Sequence, residues 1–218
     1  MSALFLELAS TVLVLSPSTL TFRLRMISSM SEILGLVKEA PLGYRRITAG
    51  LLFRKSLLIN TMLFNSEAWH DITDSQIEAF EKIDEALIRG LLSGHSKLPL
   101  PAIYLETGQV PIRYIIATRR ILYLQTILHR EPDELIRRVY NAQKDDPSDG
   151  DFCQLVDQDL RLIDCQLSND QIASMDKYSL RVLVKKKAKQ AAFRSLMAIK
   201  ETKSKMENIL YLNSFNPQ

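Results

Sequence analysis

From Lys177 to Leu212 the chain runs without a glycine or a proline. Nothing else in it narrows the fold as far, because these are the two residues that most readily end a helix. A stretch this long and this uninterrupted reads as a long helix. It exceeds what a small core covers, so part of it is expected to project or to dock on a partner. The remainder points the same way. Only 7 Gly and 8 Pro are spread over 218 residues, Leu and Ile dominate the apolar set, and alternating β-branched runs are scarce. The expected fold class is all-α, a multi-helix bundle with a long basic C-terminal helix. The apolar fraction of 46% is ordinary for a globular chain, and this length buries a real core in one large domain or two small ones. No repeat of solenoid period is visible.

Local punctuation places the other helices. Arg45 to Ala68 reads as one long helix. Leu51, Leu52, Leu58, Ile59, Met62 and Leu63 recur at helical spacing there, with Arg54, Lys55 and Asn60 between them. Thr73 and Gln76 match a capping box, with Ile72 and Ile77 placed as the hydrophobic staple. The helix they open runs through Phe80, Ile83, Leu87 and Leu91, and Gly94 is its expected stop. Leu98-Pro99-Leu100-Pro101 reads as a rigid connector. Pro101 opens a short helix that Gly108 closes. Pro111 should start a helix reaching about Arg130, and Pro132 another that carries Leu135, Ile136 and Val139 on one stripe. A polar linker from Lys144 to Asp151 precedes a helix over Phe152 to Asp164. Its inward residues are Leu155, Val156, Leu160 and Ile163. Ser168 and Gln171 repeat the capping-box pattern, with Leu167 and Ile172 as staple.

Charge is unevenly distributed. From Glu131 to Asp176 there are 12 acids against 4 bases, and from Lys177 to Glu207 there are 10 bases against 2 acids. A basic C-terminal face suits a phosphate-bearing partner, and equally a solvated helix surface. Two cysteines, Cys153 and Cys165, make no disulfide framework and point to an intracellular, reducing compartment, nuclear or cytoplasmic. Both are expected on helix faces as small apolar residues. The apolar run Ala3 to Leu15 is too short to span a bilayer. No Lys or Arg precedes it and Glu7 interrupts it, which argues against a secretory signal. No membrane association is expected.

The search for chemistry is mostly negative. His70, His95 and His129 have no metal-ligand spacing with one another or with the cysteines. A glycine-rich phosphate loop and a Gly-x-Ser-x-Gly turn are both missing. Asp145-Asp146 has the adjacency of a two-metal carboxylate pair, but it stands in a Pro-flanked polar segment without a third carboxylate in a matching context. No catalytic residue, metal or cofactor is expected. The binding candidates are basic. His95 and Lys97 lie in Ser93-Gly94-His95-Ser96-Lys97, where they either touch phosphate or serve a helix-end turn. Trp69 is a core anchor or, less simply, a base-stacking platform. Arg113 and Arg120 are seven residues apart on one face of their helix, and Arg119 and Arg130 are eleven apart on a neighbouring one. Such a row is a backbone-phosphate track or a set of ion pairs with Glu78, Glu81 or Glu106.

The segments Gly50-Leu51-Leu52-Phe53-Arg54-Lys55-Ser56-Leu57-Leu58-Ile59-Asn60 and Asn65-Ser66-Glu67-Ala68-Trp69 resemble part of the non-LTR (LINE-type) retrotransposon reverse transcriptases. So do Gly94-His95-Ser96-Lys97, Tyr104-Leu105-Glu106-Thr107-Gly108, Pro111-Ile112-Arg113, Arg119-Arg120 and Gly150-Asp151-Phe152-Cys153, in order and at matching spacing. The resemblance covers about Met30 to Ile163 and more loosely the basic tail. It falls on the helical thumb and the connection that follows the polymerase palm. The aromatic-x-Asp-Asp hairpin of that palm has no counterpart in this sequence, nor does the family's Cys/His zinc-knuckle segment. The resemblance implies a thumb-like domain over residues 30–143, a linker over 144–151 and a connection segment with a basic tail over 152–218, after a poorly matched leader over 1–29. It also implies a non-enzymatic part of an RNA-directed DNA polymerase that contacts the backbone of RNA or an RNA–DNA hybrid. The residues it points to are Lys97, Arg113, Arg119 and Arg120, with His95 beside them. The other expectations are a helical protein–protein module, pairing with a protein partner through the C-terminal helices, and a functionless remnant of a decayed element.

Overall fold

The computed structural model describes residues 44–69, 72–92, 99–148 and 150–202. They are all-helical, with no strand among them, and helices pack together as a multi-helix bundle. Two compact units are present. Of the described residues, one unit holds 44–64 with 79–92, and the other holds 65–69 and 72–78 with 99–148 and 150–202.

In the first unit, α1 (Tyr44–Phe53) continues through a π-helical turn (Arg54–Leu58) into α2 (Ile59–Met62). The expected single helix to Ala68 therefore ends early. Asn65 adopts a left-handed backbone (φ 55°), which asparagine tolerates better than most residues. A 3-10 turn, Ser66–Ala68, follows and belongs to the second unit. Leu58, Ile59, Met62 and Leu63 are buried as the periodicity predicts, whereas Leu52 is exposed. Arg54 departs most from its expected place on the polar side, being only 3% exposed. Across from it stands α3 (Asp74–Leu91), which buries Ile83, Leu87, Ile88 and Leu91. Arg54 donates through Nε to Asp84 Oδ1 at 2.5 Å and through Nη2 to Asp84 Oδ2 at 2.6 Å. This two-pronged geometry is what lets a buried guanidinium face a buried carboxylate. A Cβ on Gly50 would run into the Leu91 side chain, so the absent side chain leaves room for Leu91. The stop expected at Gly94 lies outside the described residues.

The second unit is built around α5 (Ile112–Leu128), preceded by α4 (Leu100–Thr107). Pro101 sits in the first turn of α4, and Gly108 ends it with φ 63°, a conformation that side chains bearing Cβ resist. Pro111 caps α5 rather than occupying its first turn. Around α5 pack α6 (Leu135–Asp145), α7 (Phe152–Leu162), α8 (Asn169–Ser174) and α9 (Lys177–Thr202). Because neighbours cover it on several sides, α5 buries residues all round, from Tyr114 and Ala117 to Ile121, Leu124 and Gln125. Gln125 Nε2 donates to the carbonyls of Ile172 (3.1 Å) and Met175 (2.8 Å), which ties α8 down. On α9 the buried residues are Leu180, Val184, Ala188, Ala191, Ala192 and Leu196. They return about once per turn, and the alanines allow a close approach.

Two sequence expectations change here. The polar stretch 144–151 is not a boundary between domains, because α5 before it and α7, α8 and α9 after it share one core. The α6 stripe of Leu135, Ile136 and Val139 is exposed, Leu135 by 76%, and Tyr140 is the buried residue instead. Its ring packs edge-on to Phe152, with Arg137 over it and its hydroxyl accepting from Asn169 Nδ2 at 2.8 Å. The capping box at Ser168 and Gln171 is formed in both directions. The reciprocal bonds between Thr73 and Gln76 are formed too, at 2.9 and 3.4 Å. Cys153 is on α7, while Cys165 is buried just beyond its end rather than on a helix face. No described helix is long and apolar enough to cross a membrane.

Candidate nucleic-acid interface

The expected arginine row is largely consumed by structure. Arg120 is 4% exposed and donates from Nη1 to Asp159 Oδ2 on α7 at 2.7 Å. Its Nη2 reaches the Trp69 carbonyl at 3.4 Å. Burial pushes the Asp159 carboxyl up to about 6, against the pull of the adjacent Arg120 charge and hydrogen bond. Arg120 is thereby corrected from a phosphate contact to an internal tie. Its partner is none of the three glutamates expected of an ion-paired row.

Arg119 is partly buried, and its Nη1 lies 3.5 Å from the hydroxyl of the fully buried Ser66. Burial lowers its pKa, and the charge of Glu67 opposes the shift. The segment Asn65 to Trp69 and the Arg119-Arg120 doublet, about 50 residues apart in the sequence, are thus the two sides of one contact. The segment after Asn65 offers a hydroxyl and a carbonyl, and adjacent arginines on α5 take them. Trp69 is half-buried at that junction. Arg113 is also partly buried and engaged rather than free. Arg130 is exposed and faces Glu134 at 3.5 Å. Lys97 and His95 lie outside the described residues.

The cationic surface lies on α9 instead. From Lys177 to Lys200 the sequence has no acidic residue. Lys177, Arg181, Lys185 and Lys189 are exposed and follow one another at four-residue spacing. That puts them on one slowly winding row, about 18 Å long at the helical rise. No ion pair among the described residues engages them. Lys186 is exposed beside the row and Lys187 is half-buried near Asp164. Asp176 starts the helix by accepting from the backbone N–H groups of Tyr178 (3.0 Å) and Ser179 (2.9 Å). The sequence already showed this excess of bases; the described burial adds which side of the helix carries it.

Among the described residues no group of three or more His, Cys, Asp or Glu is placed to hold a metal ion. Both thiols are raised in pKa, chiefly by burial, which disfavours the nucleophilic thiolate. No protein-family model, curated protein or solved structure matches this chain.

Proposed function

We propose that this chain is a non-catalytic, thumb-like module that holds the backbone of a nucleic-acid duplex, an RNA–DNA hybrid or an RNA, along the exposed face of α9. The observation that carries the reading is the row Lys177, Arg181, Lys185 and Lys189, exposed, without an ion pair among the described residues and free of intervening acids. Cations held on a rigid helix at turn spacing match a polyanion read through its phosphates rather than its bases. The adjoining stripe of α9 is anchored by Leu180, Val184 and Ala188, each one residue before a cation of the row, so the row is presented on a fixed support. The likeness to reverse-transcriptase thumbs suits this role. In the proposal α9 takes over the contact first ascribed to Arg113, Arg119 and Arg120.

The test is a salt titration of the full chain against a fluorescent RNA–DNA hybrid of mixed sequence. Log affinity should fall linearly with log salt, with a slope of a few charges, and should barely change with sequence. An absence of binding at low salt, or binding indifferent to salt, overturns the reading.

A second reading, a helical protein–protein module, has one observation in its favour. Leu135 and Val139 are exposed one turn apart on α6, with Ile136 beside them.

A further inference from the structure

A groove of about 690 Å³ lies between the end of α4, with the turn after it, and the C-terminal half of α9. Its floor is apolar: Tyr104 and Leu196 are buried, and the Phe193 ring is only half covered. Its rim carries Lys186, Lys189 and Arg194, all exposed, and among the described residues no Asp or Glu lines it. Gly108 borders it with nothing within 4 Å of where a Cβ would stand, so the turn side is open. A volume of this size falls in the range of small-molecule sites, roughly 300–1,000 Å³.

The lining selects its ligand by chemistry. A partly exposed aromatic ring beside three cations, whose nearest recorded carboxylate is Asp164 on the far side of Arg194's exposed ion pair, suits a flat apolar group that carries negative charge. A nucleotide has both components. Single-strand binding proteins pair aromatic platforms with basic grooves in this way. Arg194 has one ion pair, to Asp164 at 2.9 Å, but both side chains are more than half exposed. Such a pair holds weakly, so the guanidinium can turn to a phosphate. Lys189 belongs both to the groove and to the α9 row. A strand tracked along the row therefore arrives at the groove.

We infer that this groove is a subsite for one unpaired nucleotide at the end of a nucleic-acid strand lying on α9. The base rests against Phe193, and its phosphate sits between Lys189 and Arg194. The inference rests on the reading of α9 as a backbone track and adds to it a preference for a frayed or overhanging end.

The experiment compares the full chain binding a blunt RNA–DNA hybrid and the same hybrid with a short single-stranded overhang, at fixed salt. The overhang should tighten binding about fivefold or more, the lower end of what one base–aromatic stack contributes. Phe193→Leu keeps the apolar packing and removes the ring. It should erase the gain from the overhang and leave blunt-hybrid affinity unchanged, while Phe193→Trp should keep the gain. Thermal melts of each variant confirm that the fold is retained. Blunt binding without any gain from the overhang, or a gain that Phe193→Leu preserves, overturns the groove inference and leaves the α9 reading standing. Loss of all hybrid binding overturns both. An acidic amphipathic peptide that binds the wild type but not Phe193→Leu, with no overhang gain, assigns the groove to a protein partner and likewise overturns the inference.

Discussion

Arg120 on α5 and Asp159 on α7 meet at 2.7 Å, with side chains 4% and 11% exposed. The pair ties two helices of one core across a separation of 39 residues. Removing one partner strands a charge in an apolar setting, which typically destabilises by about 3 to 5 kcal/mol. Asp159→Ala and Arg120→Ala should each show a loss of that order in urea unfolding. The double replacement Arg120→Leu with Asp159→Leu should recover most of it, because two apolar side chains need no partner. Single variants as stable as the wild type would mean that the pair is open to water.

The same carboxylate predicts a pH dependence. Its folded pKa of about 6 lies above the ordinary carboxylate range, near 4. The folded state therefore binds this proton more tightly than the unfolded state does. The corresponding stabilisation is full below about pH 4 and is lost as pH rises through about 6. Against Asp159→Asn, which cannot titrate, the wild type should lose melting temperature between pH 4 and pH 7. Exposed carboxylates contribute to both proteins alike and cancel in the difference. A difference that stays flat with pH would place Asp159 outside this window.

The capping box at Ser168 gives a smaller and cleaner effect. Ser168 Oγ accepts from the Gln171 N–H at 3.2 Å, and Gln171 Oε1 accepts from the Ser168 N–H at 2.9 Å. Ser168→Ala should cost about 1 kcal/mol. It should also speed amide exchange in α8 while leaving α5 protected. Uniform exchange over both helices would show that α8 does not open on its own.

Features specified by neighbouring residues were legible in the sequence. Pro101 and Gly108 bracket α4, and both capping boxes can be read from residues three apart. The buried ion pairs could not be matched from local pattern, because Arg54 and Asp84 are 30 residues apart and Arg120 and Asp159 are 39 apart. A usable signal was nevertheless present. Arg120 has Ile116, Ala117, Ile121 and Leu124 around it on the helix, and Asp159 lies between Val156 and Ile163. A charge in the middle of an apolar stripe faces the core, and two such charges of opposite sign on different helices invite pairing. The Arg119-Arg120 doublet hid this, since adjacent arginines resemble a surface patch. The α9 row was visible as a basic stretch. Which side of α9 stays exposed depends on the packing of Leu180, Val184 and Ala188, which composition does not specify.

The last prediction separates the cations that hold the fold from those assigned to a partner. Each phosphate contact adds about 0.9 to the salt slope on B-form DNA, so the slope counts contacts. Replacing Lys185 and Lys189 with Gln should lower the slope by about 2 and weaken binding alike on all sequences. Both residues are exposed, so the melting temperature should hardly move. Arg120→Gln should do the reverse, destabilising the chain while leaving the slope of the remaining folded protein unchanged, because a guanidinium paired with Asp159 has no phosphate to release. The two variants measured side by side on one hybrid decide between the helices. If Arg120→Gln lowers the slope and the double lysine variant does not, the track belongs on α5 and the assignment to α9 is wrong.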